Sequence, residues 1–542
     1  MRIMSTIIKH FDKRSGLTYA YESVSYWDKE KKQPRSKRTY LGRVDDETGE
    51  IVPTKGYRSK NRTEKIQDKD EKTTKRGPVP TEESTRKFFG ATYLLDSIGE
   101  QIGITKDLKA CFPDTYKQIL SIAYYLILEP ESPLYRFEKW GLLHKHPYGK
   151  NITSERSTSI FTGITEEAKN HFFKLQGGRR SEKEHFAYDT TSISSHSELL
   201  KQVQYGNNKE NDNLPQLNLA LVFGQESNLP FYYRKLPGNI NDSTTVPNLL
   251  SDFEDLGFNK VKFVMDRGFY SRDNINDLYK RRIKFLMAAK TSVKAIRSEI
   301  DKVYDSISHF DNYNDDYGLY STTVRTEWDY VQEQPKKGVV LEEKRRFYAH
   351  IYFDRQRAAD EELKLDKKLS MLKNELESGK RLASHEKQYQ KYFETKTTPK
   401  RGTQAFVKEE VMRQEKRYAG YFVLVSNEAG DSVDALEVYR NKDVVEKAFE
   451  NLKDRLEMRR MRVHSERSLD GKLFVQFVAL IFLSHIKKQM QDNGLFKKYT
   501  MQQVLDKLDI IECFENPGRA RRYGEVTSKQ RELFSNFGIE GP

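Results

Sequence analysis

Apolar residues along the chain follow two rhythms in turn, first an alternation and then a three-and-four spacing. In residues 7–53, GLTYAYESVSYW alternates apolar with polar, and KRTYLGRVDDETGEIVP sets an acidic turn with Gly between two β-rich runs. That pattern predicts a small β domain. Residues 55–80, KGYRSKNRTEKIQDKDEKTTKRGPVP, hold almost no apolar side chains and read as a charged tether. From Thr81 the spacing turns helical: TEES offers an N-cap and capping box, then Phe88, Tyr93, Leu94, Leu95, Ile98 and Ile102 recur, and ILSIAYYLIL is apolar enough to be buried. A helical domain follows from this. Its basic residues Lys139, His144, Lys145, Lys150, Arg156, Arg179 and Arg180, interleaved with Trp140 and Tyr148, suit DNA contact and equally an ordinary bundle surface.

The next segment mixes both rhythms. EHFAYDTTSIS, LPQLNLALVFG and LPFYYRKLPGNIN predict three consecutive strands; Pro237 and Gly238 end the third, and Asp242 or Ser243 can cap a helix through Leu256. VKFVMD, SRDNINDLYKRR and KFLMAAK then read as strand, helix, strand. Three hairpin-compatible strands followed by right-handed crossovers give a ribonuclease H-like order, still without its closing helix. Residues 291–433 interrupt that order with β-rich runs and a charged helical arm, where Leu363, Leu365, Leu369, Leu372 and Leu376 form a seam. A solvated helical hairpin is expected there ahead of a coiled-coil contact. Helical period returns in residues 435–461, ALEVYRNKDVVEKAFENLKDRLEMRRM, read as one long amphipathic helix. Val438, Val445, Ala448, Phe449, Leu452 and Leu456 fall within an arc roughly 100° wide, the width of a stripe packed on a core.

The predicted fold class is therefore α/β: a ribonuclease H-like catalytic core with a β-rich insertion, N-terminal β and helical domains, and a helical C-terminus. The expected domains are 1–53 (β), 54–80 (linker), 81–178 (helical, DNA-binding), 182–290 (core, first part), 291–433 (insertion with arm), 434–490 (core, second part) and 491–542 (helical end).

Charge and composition narrow the partners. The 94 Lys and Arg exceed the 80 Asp and Glu, giving +14 at pH 7, a field that favours phosphate-rich partners. The two cysteines, Cys111 and Cys513, are too few and too far apart for a zinc knuckle or a disulfide framework, so a bound metal would be held by oxygen. MRIMSTIIKHFDKR lacks the apolar run of a signal peptide, and LFVQFVALIFL falls short of the roughly 20 residues needed to span a bilayer. A soluble cytoplasmic protein without a membrane partner is expected.

Three acids carry the candidate chemistry. Asp189 lies in a predicted strand and Asp266 ends VKFVMD, where side chains at strand ends line the crevice of a mixed sheet. Taken singly, each is as well explained by an Asx turn or a helix cap. Glu446 sits at the seam between the buried and solvated faces of the 435–461 helix, with Tyr439, Lys442 and Lys453 inside an arc of about 60° beside it. The plain alternative is a solvated face with (i, i+4) Lys and Glu pairs. Together, three carboxylates without Cys or His form a hard oxygen set that suits Mg²⁺ or Mn²⁺. Two such ions about 4 Å apart can activate a hydroxyl and stabilise a leaving oxygen at a phosphodiester. Lys442 and Lys453 could hold phosphates on either side, and Tyr439 could bond a phosphate or stack on a base.

Tyr439-x2-Lys442-x3-Glu446-x6-Lys453 is similar to the Tyr-Arg-Glu-Lys signature of bacterial insertion-sequence transposases of the DDE class, the insertion-sequence-four-like superfamily, with Lys442 where that signature has Arg. YDTTSIS around Asp189, PGNINDSTT from Pro237, FVMDRGFYS around Asp266, and MRVHSERSLDGKLFVQFVAL with His464 and Arg467 resemble its other motifs. The resemblance implies catalytic and metal-ligating roles for Asp189, Asp266 and Glu446, with two Mg²⁺ or Mn²⁺ ions. It also implies DNA contacts at Tyr439, Arg440, Lys442, Lys453 and His464. The implied reaction is cut-and-paste transposition: cleavage at terminal inverted repeats through a hairpin intermediate, then strand transfer by the freed 3′-hydroxyl. The implied partners are double-stranded DNA of the transposon ends and target, and a second copy of the chain on paired ends, in the nucleoid of a bacterial or archaeal cell. Lysine at 442 keeps the charge but loses arginine's bidentate fork, so Arg440 is the other candidate clamp. Trp328 lies in the insertion, where related enzymes stack an aromatic on a flipped base; a core or surface tryptophan is the plainer expectation there. The remaining alternatives are a nuclease or resolvase without strand transfer, and a non-catalytic DNA-binding protein derived from a transposase.

Overall fold

The computed structural model describes residues 5–28, 33–52, 84–179, 184–195, 200–206, 214–258, 260–334, 339–399, 402–456, 460–461 and 465–542. The expected charged tether and the residues Thr81 to Glu83 of TEES lie outside them. Contacts divide the chain into two units, Met1–Pro78 and Val79–Pro542.

The first unit is a four-stranded antiparallel sheet of Ser5–Asp12, Leu17–Asp28, Gln33–Val44 and Ile51–Val52. Its acidic turn is built as the sequence implies: the Gly49 amide donates to the Asp45 carbonyl at 2.9 Å, and Gly49 takes a φ of +67°.

In the second unit helical structure starts at Gly90, because Thr85–Phe88 is a strand paired with Glu512–Glu515. The helices from Gly90–Gln101 to Glu166–Gly178 pack around Glu466–Asp492, whose residues 473–483 are all buried. A helix apolar on every side is a core helix. By length and composition it could cross a bilayer, but 83% of its most apolar window is buried inside the unit. A Cβ at Gly471 would lie 2.1 Å from the Phe161 carbonyl oxygen, so glycine permits the close approach of helix Ser154–Thr162. Part of the basic and aromatic mixture expected to face DNA is internal, whereas Lys139, Lys150 and Arg156 are exposed and Arg180 falls outside the described residues. Trp140 and His144 are buried and stacked, His144 bonds Asp509, Lys145 pairs with Glu515, and Arg179 pairs with Asp107.

The sheet that organises the unit has ten strands. Its first five in sequence, His185–Ser195, Gln216–Gly224, Pro230–Pro237, Lys262–Met265 and Lys284–Ala289, lie in the spatial order third, second, first, fourth, fifth. The first three pair antiparallel; the fourth and fifth run parallel to the first. Helices Val246–Leu256 and Arg272–Lys280 make the crossovers. Asp242 does not cap the first of them: it opens a 3₁₀ turn, Asp242–Thr244, and Thr245 occupies the N-cap without a side-chain bond to the helix's own amides.

The insertion continues this sheet. Tyr421–Ser426 pairs antiparallel with Lys284–Ala289, then Val339–Phe353, Leu319–Gln334 and Tyr313–Asn314 follow outward. Its arm, helices Arg355–Glu377 and Glu386–Tyr392, closes Leu369, Leu372 and Leu376 on Tyr389, Tyr392 and Phe393 in a small core of its own. Leu363 stays exposed. This is a hairpin with an internal seam. Trp328 is likewise engaged internally, donating to Asn276 at 2.8 Å and lying 5.2 Å from the Phe347 ring.

The single helix expected over 435–461 is broken. It consists of Ser432–Arg440, a joint at Asn441 and Lys442, Asp443–Glu450, and a π-helical turn Asn451–Arg455; Arg460–Met461 is a strand beside His185–Ser195. The reason lies in packing. Ala435 and Leu436 bury against Val264, Leu286 and Leu424, whereas Val445, Ala448 and Phe449 bury in the main core. On one straight helix those two stripes would lie roughly 130° apart at 100° per residue, so the chain turns between them. At the joint the amides tighten to i−3 partners, Lys442 to Tyr439 at 3.2 Å and Val445 to Lys442 at 2.9 Å.

His146, His350 and His485 are enclosed, and burial first of all pushes each down from 6.5 to about 4. The unfolded chain therefore takes up these protons first as pH drops. The urea midpoint should fall between about pH 6.5 and 4; a midpoint constant over that window would show these rings are not held neutral.

Candidate active site

Two aspartates meet because two strands run in register. His185–Ser195 and Lys262–Met265 pair parallel with Tyr188 opposite Met265, so Asp189 and Asp266 leave the sheet side by side. Neighbouring strands lie about 4.8 Å apart. Side chains alternate faces along a strand. The Tyr188 hydroxyl donates to Thr245 Oγ1 at 2.8 Å on one face and Met265 enters the same core, which puts both aspartates on the other.

Both acids also serve their own backbone. Asp189 Oδ1 accepts from the Thr190 amide at 2.7 Å, and Asp266 Oδ1 accepts from the Arg267 amide at 2.8 Å as the cap of the turn Arg267–Phe269. Asp266 does more. The Tyr439 hydroxyl, from the helix opposite, donates to the same oxygen at 2.7 Å. Burial pushes the Asp266 carboxyl up, but the Tyr439 hydroxyl, the Arg267 amide and the Lys442 and Arg267 charges outweigh it and hold it below the usual range. Burial first, then Asp266 and Glu446, push the Tyr439 phenol far up, so it remains a donor.

Glu446 reaches the aspartates through Lys442. The break in the helix turns Lys442 inward, where its ammonium donates to Glu446 Oε1 at 2.8 Å and lies 5.5 Å from the Tyr439 ring centre. The Lys442 side chain is 11% exposed and that of Glu446 56%. Burial lowers the Lys442 ammonium, but Glu446, Asp266 and Asp189 all raise it, and the net shift is upward. One cation thus sits in the field of all three predicted acids.

Among the described residues, no three His, Cys, Asp or Glu side chains close into a cluster able to hold a metal ion. The donor set nevertheless fits one. It offers only oxygens, as hard divalent ions prefer, and the place its members share is one where a positive charge, the Lys442 ammonium, already lies.

Arg440 lines the cleft beside Tyr439 and Lys442, with its guanidinium 4.4 Å from the Tyr317 ring centre. Lys453 lies half-buried on the π-helical turn, off the α-helical phase from which its alignment with Glu446 was inferred. His464 falls outside the described residues. Three participants went unread in the sequence. Asp242 accepts from the Thr190 hydroxyl, directly behind Asp189, and PGNINDSTT was its signal. Lys290 and Arg357 line a cleft of about 730 Å³ together with Asp266, Tyr439, Arg440 and Lys442. They come from separate segments, so no local pattern joins them.

A family model described as a transposase DDE domain matches residues 180–482, more than half of the chain. The protein belongs to this family of DDE transposases. No curated protein matches it. Among solved structures it is similar to a piggyBac transposase synaptic complex with hairpin DNA, at 12% identity and a TM-score of 0.33, covering 77% of this chain and 70% of that one.

Replacing Tyr439 with Phe should cost about 1.5–3 kcal/mol at pH 7, the range of a hydrogen bond to a charged group. Since Asp266 is depressed, that stabilisation is present above its ordinary pKa of 3.8 and is lost as pH falls through its lower folded value. The Y439F deficit in urea unfolding should therefore vanish in acid; equal stability of the two proteins at pH 7 would show that the bond does not form in solution.

Proposed function

We propose that the protein is a cut-and-paste DNA transposase, acting at the ends of its own element, with Asp189, Asp266 and Glu446 as the catalytic acids. The carrying observation is the convergence of an in-register aspartate pair with the Lys442–Glu446 pair across the joint of a broken helix, in a chain of the DDE family. The strand order third, second, first, fourth, fifth, with the Glu446 helix returning to the sheet, supports a ribonuclease H-like core. The spacing from Tyr439 to Lys453 supports the insertion-sequence-four-like branch.

Mg²⁺ or Mn²⁺ held by Asp189, Asp266 and Glu446 would activate the attacking hydroxyl and stabilise the leaving oxygen. The remaining work falls to the protein's own groups. Tyr439 and the Arg267 amide fix the orientation of Asp266. Lys442, which neighbours all three acids, would offer its ammonium to a non-bridging oxygen of the scissile phosphate. Lys290, Arg357 and Arg440 along the cleft give the DNA backbone a positive path to the acids. Joining two ends requires a pair of sites, which supports a homodimer on paired ends.

The test uses the purified chain, Mg²⁺, and duplexes carrying the sequences that flank its reading frame. Cleavage at the ends and joined product are expected. Asp189→Ala, Asp266→Ala and Glu446→Ala should each reduce both on the order of 10³-fold or more. Undiminished cleavage in any of the three would remove that acid from the mechanism. Cleavage that never yields joined product identifies a nuclease or resolvase, and DNA binding without metal-dependent cleavage identifies a non-catalytic binder.

A further inference from the structure

A second polar site lies on the far side of the helix that carries Glu446. Between Asp443–Glu450 and the long helix Glu466–Asp492 runs a small groove lined by Lys447, Lys487 and Lys488 together with Ser484, Asn228 and Asn451; no carboxylate lines it. At about 100° per residue, Lys447, Ala448 and Asn451 stand roughly 100° to 200° from Glu446. The groove and the acidic site thus open on opposite sides of one helix, about 10 Å thick.

The three lysines in the groove differ in how far the fold engages them. Lys488 is engaged, donating to the Glu226 carbonyl at 2.9 Å and lying 3.8 Å from Asp492. Lys447 and Lys487 make no hydrogen bond or ion pair among the described residues, and each is in the other's field. Burial and the Lys447 charge push the half-buried Lys487 ammonium down, with Glu450 offsetting part of this. Asn228 beside them is held at a φ of +54°, and its amide oxygen is buried without a donor. Two like charges brought together at a partly buried place destabilise a fold unless an anion lies between them.

We infer that this groove seats a backbone phosphate of DNA, on a stretch of strand other than the one being cut. Lysines act here as point charges on a phosphate, with Ser484 and Asn451 as neutral polar partners. The inference rests on the transposase reading and deepens it. DNA held at the acidic face is also gripped behind the same helix, so the position of Glu446 is coupled to a second segment of nucleic acid.

The test measures binding of the full-length chain to duplex DNA by fluorescence anisotropy over a range of salt. In K447Q/K487Q the dependence of log K on log salt should become shallower by about 0.9 for each phosphate no longer neutralised. K447R/K487R should restore it. The thermal midpoint of K447Q/K487Q should equal or exceed that of the wild type, since a repulsion has been removed; should it be lower, the exposed single variant K447Q carries the measurement and should show part of the change in slope. An unchanged slope while the wild type binds duplex overturns this inference and leaves the transposase reading standing. An equal change in K497Q/K498Q, the same loss of charge on the adjoining turn, shows bulk charge alone and also overturns it. If inorganic phosphate raises the wild-type midpoint but not that of K447Q/K487Q, and the slopes agree, the groove takes a small anion and the DNA assignment falls. A wild-type chain that binds no duplex at all overturns the transposase reading and this site with it.

Discussion

The parallel pairing of His185–Ser195 with Lys262–Met265 is the constraint from which the rest of the site follows. Residues on a strand alternate faces, so slipping one strand by a single position would send Asp266 into the core and Met265 into the cleft. Phe263 and Met265 in the main core, with Val264 in the smaller core opposite, fasten the register from both sides. Parallel neighbours also need a crossover, supplied here by helix Val246–Leu256. The turn that opens it, at Asp242, ties back to Thr190, next to Asp189 in the strand.

The broken helix is the second determinant. One half serves the smaller core on the sheet face and the other half serves the main core, and the joint between them is where Lys442 sits. Had the chain continued straight, the stripe serving Val445 and Phe449 would have left Ala435 and Leu436 unpacked. The break resolves that conflict and places an ammonium among three carboxylates. That ammonium steadies the acids while no other cation is present, and it lies where charge from a phosphate backbone would reach.

Basic groups are distributed around this centre. Arg267, Lys290, Arg357 and Arg440 line the cleft on the acidic side, and Lys447 and Lys487 occupy the groove behind. Several other cations that the sequence offers, among them Lys145 and Arg179, are consumed in ion pairs that hold the helical layer together. The net charge of +14 is thus divided between structure and surface, and only the folded arrangement tells which is which.

Much of the architecture was legible in residue order. Period-two and three-and-four spacings gave the three strands, the crossovers, the insertion strands and the apolar core helix, because local burial patterns report local geometry. The acids at 189, 266 and 446 could be nominated for the same reason: strand ends and a seam on a helix are local features. What the chain order could not carry was anything set by two distant segments competing for one residue. The break at Asn441 and Lys442 follows from two separate cores, the engagement of His144 and Trp328 from partners far away in sequence, and the cleft lysine and arginine from segments that meet only on folding. By itself the sequence determined which elements form and which side chains carry charge; tertiary packing alone decided which of those charges are neutralised inside the fold and which face a substrate, since that depends on distances between residues hundreds of positions apart.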